Sequence, residues 1–151
     1  MYKTIQTLFY SLSVLMISSC GHNTNDTNGV KAVGEDFTAA WNLHDPKAIS
    51  DLWTADGDFL SPWMQTDLIK GREAIEKYFA EEFKNTMKNS TISLTIDPPR
   101  LIDPETAFTE ADFTITGMTI SGVQAVPFND HAVFILVKED GDWKIKIARP
   151  Y

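Results

Sequence analysis

The sequence predicts an α+β fold in which three helices pack on one side of a curved antiparallel sheet. Two observations carry this prediction. Apolar residues recur at helical spacing in the first part of the chain, and from Thr91 onward they alternate with polar residues as they do in strands. Because the helices come first and the strands follow as one run, we expect helices and sheet to form separate layers.

The first twenty residues have the composition of an export signal. Lys3 precedes an apolar run that ends in the small residues Ser18 and Ser19, just before Cys20. This run is shorter than the roughly 20 residues that a membrane-spanning helix needs. The stretch Ile17-Ser18-Ser19-Cys20 resembles the bacterial lipobox, which implies that Cys20 is lipidated and becomes the mature N-terminus. The alternatives are an ordinary signal peptide cut nearby and a free thiol.

The sequence after Cys20 suggests how the chain is divided. Residues 21–29 are rich in Asn and Thr and are typical of a polar tether, and periodic apolar residues begin at Val30. We therefore expect a lipoprotein signal peptide over residues 1–19, a tether over 20–29 and one domain over 30–151. Gly21, rather than an acidic residue, follows the cysteine. By resemblance to known sorting rules, this favours a lipid-anchored protein of the bacterial cell envelope, on the outer membrane facing the periplasm.

The composition argues against a nucleic-acid partner. The chain carries 13 Lys and Arg against 21 Asp and Glu, a formal net charge of −8. Nucleic acid is itself polyanionic and would repel such a chain. The membrane contact we expect is through the N-terminal lipid alone.

Three helices are predicted in order. Val30, Val33, Phe37 and Trp41 fall on one stripe of a first helix, and Asp45-Pro46 supplies an N-cap and a first-position proline for a short second helix. A strand is expected near Phe59 and a loop over residues 61–70. The third helix is predicted over "GREAIEKYFAEEFKNTMKN", whose apolar residues share one face.

The remaining residues are predicted to be strands. Thr91–Ile96 alternates, a second strand covers about residues 106–118 with Ala111 facing inward, and Glu139-Asp140-Gly141 marks a tight hairpin between the last two strands. In the final strand Trp143, Ile145 and Ile147 are predicted to point inward. The strand before it is apolar on both faces, and we assign Val133, Ile135 and Val137 to the inner one and Ala132, Phe134 and Leu136 to the outer one.

Three phrases, in this order and spacing, resemble a known family: "AAWNLHDPKAISDLWTADGDFL", "GREAIEKYF" and "VKEDGDWKIKIARPY". They are similar to the SnoaL-like group of the nuclear-transport-factor-two-like superfamily, close to the subgroup named for SgcJ and EcaC. The resemblance implies a cone-shaped, cystatin-like α+β barrel with a pocket at its open end. It also implies a homodimer through the outer sheet face, which would cover Ala132, Phe134 and Leu136.

The expected pocket supplies candidate catalytic residues. His131 begins its strand and Arg149 ends the next, antiparallel one, so the two should be neighbours at one rim of the sheet, while Asp58 flanks the first strand. A desolvated imidazole or carboxylate there could remove a proton next to a carbonyl, while Tyr78 or Arg149 stabilises the enolate oxygen. The alternatives are a surface histidine, a turn residue at Asp58, and a structural ion pair between Arg149 and Asp58.

Aromatic side chains are the candidate ligand contacts: Trp41 and Trp63 at the opening, with Tyr78 and Phe79 on the third helix. The isomerase pattern of one tyrosine and two acids cannot be placed on this chain, and we see no metal-ligand spacing and no phosphate-binding loop. We therefore expect a domain that binds a small apolar or aromatic molecule without a cofactor or metal. It would either catalyse acid–base chemistry of the isomerase or cyclase kind or serve as a non-catalytic binding or assembly module.

Overall fold

The computed structural model describes residues 24–61 and 68–151. The predicted signal peptide, Cys20 and Trp63 therefore lie outside the described residues. The elements in chain order are α1 (Thr24–Asn42), α2 (Pro46–Ser50), β1 (Trp53–Leu60), β2 (Leu68–Lys70), α3 (Arg72–Glu82), β3 (Thr91–Ile96), β4 (Arg100–Asp103), β5 (Thr106–Thr116), β6 (Thr119–Ile120), β7 (Val123–Gln124), β8 (Phe128–Glu139) and β9 (Asp142–Pro150).

Within the described residues, seven strands form one open, curved sheet in the order β2-β1-β9-β8-β5-β3, with β4 also paired to β5. Neighbouring strands are antiparallel except β1 and β9, which are parallel. This parallel pair joins strands far apart in sequence, which local patterning could not reveal. The α+β class predicted from the sequence is confirmed.

The helices form largely where the sequence predicts them. The side chain of Asp45 accepts a hydrogen bond from the backbone N–H of Ala48 at 3.0 Å, which caps α2 as expected. Helix α1 begins at Thr24, so residues 24–29 are helical instead of belonging to the predicted tether. Helix α3 ends at Glu82, earlier than predicted, and the chain continues in turns that still bury Phe83 and Met87.

The hairpin between β8 and β9 is the tight turn that the sequence predicts. Glu139 pairs with Asp142, which leaves Asp140 and Gly141 as a two-residue loop. Their φ angles of 55° and 91° are both positive, as a type I′ turn requires. Gly141 accepts this conformation without the steric cost that a side chain would bring.

The predicted orientation of β8 is wrong. Ala132 and Leu136 are buried in the core, and Phe134 lines a cavity, so the inner face of β8 carries these three residues. The reason is the neighbouring strand: Ala111 of β5 is buried and pairs with Ala132, and paired residues share a face. Because β8 is apolar on both faces, its own sequence could not decide between them.

The predicted inward position of Ile147 is also wrong, although Trp143 and Ile145 are buried as expected. Strand β9 has one extra residue opposite the step from Leu136 to Ile135, which pair with Ile145 and Ile147. Such a bulge reverses the alternation of side chains beyond it. As a result Ala148 faces inward, and Ile147 joins Ile135 on the outer face.

Candidate functional site

An apolar cavity lies between α1 and the inner face of the sheet. Aromatic rings from α1, β1, β5 and β8 surround it, and aliphatic side chains of β3 and β5 and small ones of β8 and β9 complete the lining, with Arg149 at its edge. Its atom-free space is about 520 Å³ when the open solvent at its mouth is included. The lining residues are Phe37, Trp41, Trp53, Phe59, Leu60, Met87, Ile92, Leu94, Phe113, Ile115, Ala132, Phe134, Ala148, Arg149 and Pro150.

The indole N–H groups of the two lining tryptophans both have hydrogen-bond partners. Nε1 of Trp41 donates to Oγ of Ser90 at 3.1 Å, and Ser90 in turn donates to the carbonyl of Met87 at 2.9 Å. Nε1 of Trp53 points to the carbonyl of Asp58 at 3.4 Å. Because both indole N–H groups have partners, the rings present apolar surface to the cavity.

The predicted ligand contacts are only partly at this cavity. Trp41 lines it, whereas Phe79 is fully buried behind it and packs edge-on against Trp41, with ring centroids 5.6 Å apart. Tyr78 packs on Phe59 and its hydroxyl lies 2.8 Å from Oγ of Ser61. Sequence reasoning missed Ala132 and Phe134 as lining residues because it assigned them to the outer face.

Asp58 and Arg149 form an ion pair, which is the structural alternative considered from the sequence. Nη2 of Arg149 lies 2.6 Å from Oδ1 of Asp58, and the two side chains are only 28% and 22% exposed. No N–H or O–H of the described residues is aligned on that oxygen as a hydrogen-bond donor, so the contact is held by charge. Arg149 borders the cavity mouth, but its pairing with Val133 places its side chain on the outer face.

His131 also lies on the outer face, not in the cavity. Its Nδ1 is 2.5 Å from Oδ1 of Asp112, the residue paired with it across β5 and β8. Both side chains are exposed, at 56% and 70%. The Tyr151 ring lies against the imidazole, with centroids 5.7 Å apart. The partnership with Asp112 was missed by the sequence analysis, since it depends on the register of β5 against β8.

The structure thus forms two separate polar groups on the outer face, and it does not bring the three catalytic candidates into one site. His131 and Arg149 do lie on neighbouring strands and share a face, as expected, with Arg149 opposite Val133. Their charged or polar atoms, however, are engaged by different carboxylates, Asp112 and Asp58. Their catalytic roles remain predictions.

Two ionisable groups on the outer surface have shifted pKa values. The pKa of Tyr151 is raised above its ordinary value of about 10, first by desolvation and then by the negative charge of Glu110, which also hydrogen-bonds to the phenol. The pKa of Asp56 is lowered, chiefly by a hydrogen bond from Lys146, whose Nζ lies 2.6 Å away. These groups lie on the outer surface, whereas the cavity is lined by apolar side chains.

The described part of the chain carries neither a metal-ligand cluster nor a membrane-spanning helix. No group of three or more His, Cys, Asp or Glu side chains there could hold a metal ion. No helix there is both long enough and apolar enough to span a bilayer.

Comparison with known proteins identifies the fold and the family. An uncharacterised cystatin-like protein of Caulobacter vibrioides aligns with a TM-score of 0.74 at 20% identity, covering 83% of this chain and 88% of that one. A ketosteroid isomerase-like protein of Erwinia carotovora atroseptica gives 0.70 at 18% identity, with 84% and 95% covered. A putative calcium/calmodulin-dependent protein kinase II association domain of Xanthomonas campestris gives 0.65 at 24% identity, with 80% and 83% covered.

At these identities the structural matches establish the fold, and it is one that carries both enzyme-like and association domains. No curated protein matches the chain. The profile of the SnoaL-like domain matches residues 35–146, which is most of the sequence and nearly all of the described fold. The chain therefore belongs to the SnoaL-like domain family, as its sequence phrases predicted.

Proposed function

We propose that this protein binds a small, largely apolar organic molecule in the cavity between α1 and the sheet. The observation that carries the proposal is the lining: rings and aliphatic side chains surround an open-mouthed space, and the indole N–H groups of Trp41 and Trp53 are already engaged. The site is concave and mostly apolar, as ligand pockets are. An apolar molecule entering it would lose little hydrogen bonding to water and would gain contact with buried aromatic surface.

Binding is favoured over acid–base catalysis because of where the ionisable groups lie. A general base must come within about 3 Å of the proton it removes. Arg149 is the one ionisable residue among the described lining residues, and its guanidinium is turned toward Asp58. His131 and Asp112 are on the opposite side of the sheet. The isomerase-like alternative therefore has no proton-transfer group among the described residues that line the cavity.

The test uses two variants of adjacent residues on β8 that face opposite sides of the sheet. N-phenyl-1-naphthylamine, a neutral apolar dye, would be titrated into the domain and its fluorescence followed. Ala132→Leu places extra methyl groups in the cavity, and an overpacking cost of about 1–3 kcal/mol should weaken dye binding about tenfold or more. Val133→Leu makes a matched change on the outer face and should bind like the wild type.

Equal dye affinity in wild type and Ala132→Leu would place the dye elsewhere and contradict the proposal. Circular dichroism and thermal unfolding of both variants establish that the loss does not arise from unfolding. Dye binding to Asp58→Asn is a further control. An unchanged affinity would support a binding role that does not use the Asp58–Arg149 pair.

A second proposal concerns assembly through the outer sheet face. After the bulge in β9, Phe108, Ile135 and Ile147 become cross-strand neighbours on that face and form an apolar row. This row, not the predicted set Ala132, Phe134 and Leu136, would be covered in a homodimer, since exposed apolar sheet surface favours association. Light scattering should give a dimer mass for the wild type, and a monomer at tens of micromolar would contradict the proposal.

We further propose that the domain is tethered to the bacterial envelope by a lipid on Cys20, on the basis of the lipobox-like stretch 17–20. Helix α1 begins at Thr24, so the domain would be held close to the membrane surface. Cys20→Ser should release the protein from membranes into the soluble fraction. Continued membrane retention of that variant would contradict lipidation.

A further inference from the structure

A second apolar cavity adjoins the first along the inner face of the sheet. It is narrow, about 340 Å³ when the adjoining open solvent is included, and it lies under the middle of α1. Its one hydroxyl-bearing lining residue, Thr109, donates its Oγ1 hydrogen to the carbonyl of Asp97 at 3.0 Å, so this cavity is apolar as well. The lining residues are Val30, Val33, Gly34, Phe37, Leu94, Ile96, Thr109, Ala111, Phe134, Leu136 and Ile145.

Three side chains border both cavities: Phe37 from α1, Leu94 from β3 and Phe134 from β8. Leu94 and Phe134 are only half-buried although they face inward, so neither is locked by close packing on all sides. Leu94 and Phe134, which separate the two cavities, can therefore change rotamer. Phe37 is buried and packs against aromatic rings.

The sheet floor between the cavities consists of two alanines. Ala111 lines the second cavity, Ala132 lines the first, and the two are directly paired across β5 and β8. Paired Cβ atoms lie about 4.5–5.5 Å apart. The row continues with Ile96 beside Ala111 and Pro150 beside Ala132, so one cross-strand row passes through both cavities. At its centre stand the two smallest side chains of the row, Ala111 and Ala132.

We propose that the ligand is an elongated apolar molecule, of the alkyl-chain or acyl-chain class, that occupies both cavities over the Ala111–Ala132 floor. This rests on the proposed binding function and adds the shape of the ligand. A compact ligand would fill the first cavity alone. An elongated one displaces the half-buried Leu94 and Phe134 side chains and places its far end beside Ala111 and Ile96.

The experiment compares two fluorescent probes that differ in chain length, N-butyl dansylamide and N-decyl dansylamide. In the wild type each added methylene should tighten binding about fourfold, which is the effect of burying about 0.8 kcal/mol per methylene. Ala111→Leu obstructs the second cavity, so the gain per methylene should fall toward none while butyl binding persists. Ala132→Leu should weaken both probes, and the outer-face control Val133→Leu should weaken neither.

Ile96→Phe provides a second obstruction of the far cavity, at a half-buried position of β3, in case Ala111→Leu does not fold. An unchanged gain per methylene in both of these variants would overturn the elongated-ligand proposal, while leaving the binding function supported by the loss in Ala132→Leu. Failure of both probes to bind the wild type would overturn the binding function itself.

Discussion

The two faces of the same sheet carry opposite chemistry, one residue apart. On the inner face, Ala111 and Ala132 pair with 3% and 5% exposure. On the outer face, the next pair is Asp112 and His131, with side chains 70% and 56% exposed. Since successive residues of a strand point to opposite sides, a single strand can contribute to a dry cavity and to a charged surface at once.

The polar groups of the outer face and the lining of the cavity are separated by the sheet. The polar groups of the outer face contact one another in pairs, Asp58 with Arg149 and Asp112 with His131. The cavity on the inner side is enclosed by aromatic residues of α1 and of the sheet together with small residues such as Ala132 and Ala148. The cavity is therefore lined mostly by buried apolar side chains, whereas the outer face carries paired charged and polar side chains.

The largest expected effect is on the inner side. Phe79 is fully buried and its ring lies within 5.2–6.3 Å of the ring centroids of five aromatic neighbours. Phe79→Ala removes these contacts and leaves a void, so it should lower the free energy of unfolding by about 3–5 kcal/mol. Urea denaturation measures the loss. A cost below about 1 kcal/mol would mean that the aromatic core is not the main source of stability.

An intermediate effect is expected for the half-buried ion pair at the edge of the outer face. Arg149→Met leaves the Asp58 carboxylate without its cation and should cost about 1–3 kcal/mol. A double-mutant cycle with Asp58→Asn measures the coupling between the two side chains. Strictly additive losses would show that the 2.6 Å contact contributes nothing to folding.

Self-association through the outer face can be disrupted without altering the cavity. Ile135→Lys places a charge in the centre of the outer apolar row, and a desolvated, unpaired charge in an interface is costly. We expect the variant to be monomeric by light scattering while it binds N-phenyl-1-naphthylamine like the wild type. A loss of dye binding together with the dimer would place the ligand at the outer face and contradict the division of roles.

A smaller effect is expected for the exposed pair of the outer face. Asp112→Asn should change the free energy of unfolding by no more than about 1 kcal/mol, because exposed ion pairs are well solvated in either state. Urea denaturation at neutral pH measures it, with His131→Gln as the matched change of the partner. A loss of unfolding free energy as large as that of Phe79→Ala would show that this pair is a main source of stability.

The smallest effect concerns Tyr151. Its raised pKa means that the folded protein holds the phenolic proton more tightly than the unfolded chain, so this contribution to stability is present below pH 10 and is lost as pH rises through the folded-state pKa. Glu110→Gln removes the neighbouring charge and should move the pKa downward, toward its ordinary value. Tyrosinate absorbance measures the titration, and an unmoved pKa would leave desolvation and the charges of Asp112 and Asp97 as its causes.

Local chemistry made several elements predictable from sequence. Asp45-Pro46 fixed the start of α2, and Asp140-Gly141 fixed the β8–β9 turn, because capping and positive φ angles depend on few neighbouring residues. The family followed from phrases spread over most of the domain. The cap and the turn each depend on a short stretch of chain.

The candidate site was harder to predict because it depends on which way each strand faces. Strand β8 is apolar on both sides, so its orientation is set by its pairing with β5. The bulge in β9 then reverses the direction of Ile147 and Arg149 relative to Ile145. One wrong face assignment moved Phe134 out of the cavity and His131 into it, and neither error was visible in the sequence alone.

The central claim is that the inner face binds an apolar ligand and the outer face does not. Methyl NMR of the domain titrated with N-phenyl-1-naphthylamine tests it most directly, since both faces carry isoleucine. We expect shifts at the cavity-lining methyl groups of Ile92, Ile115 and Ala132, and none at Ile135 and Ile147 of the outer row. Shifts confined to Ile135 and Ile147 would contradict the account.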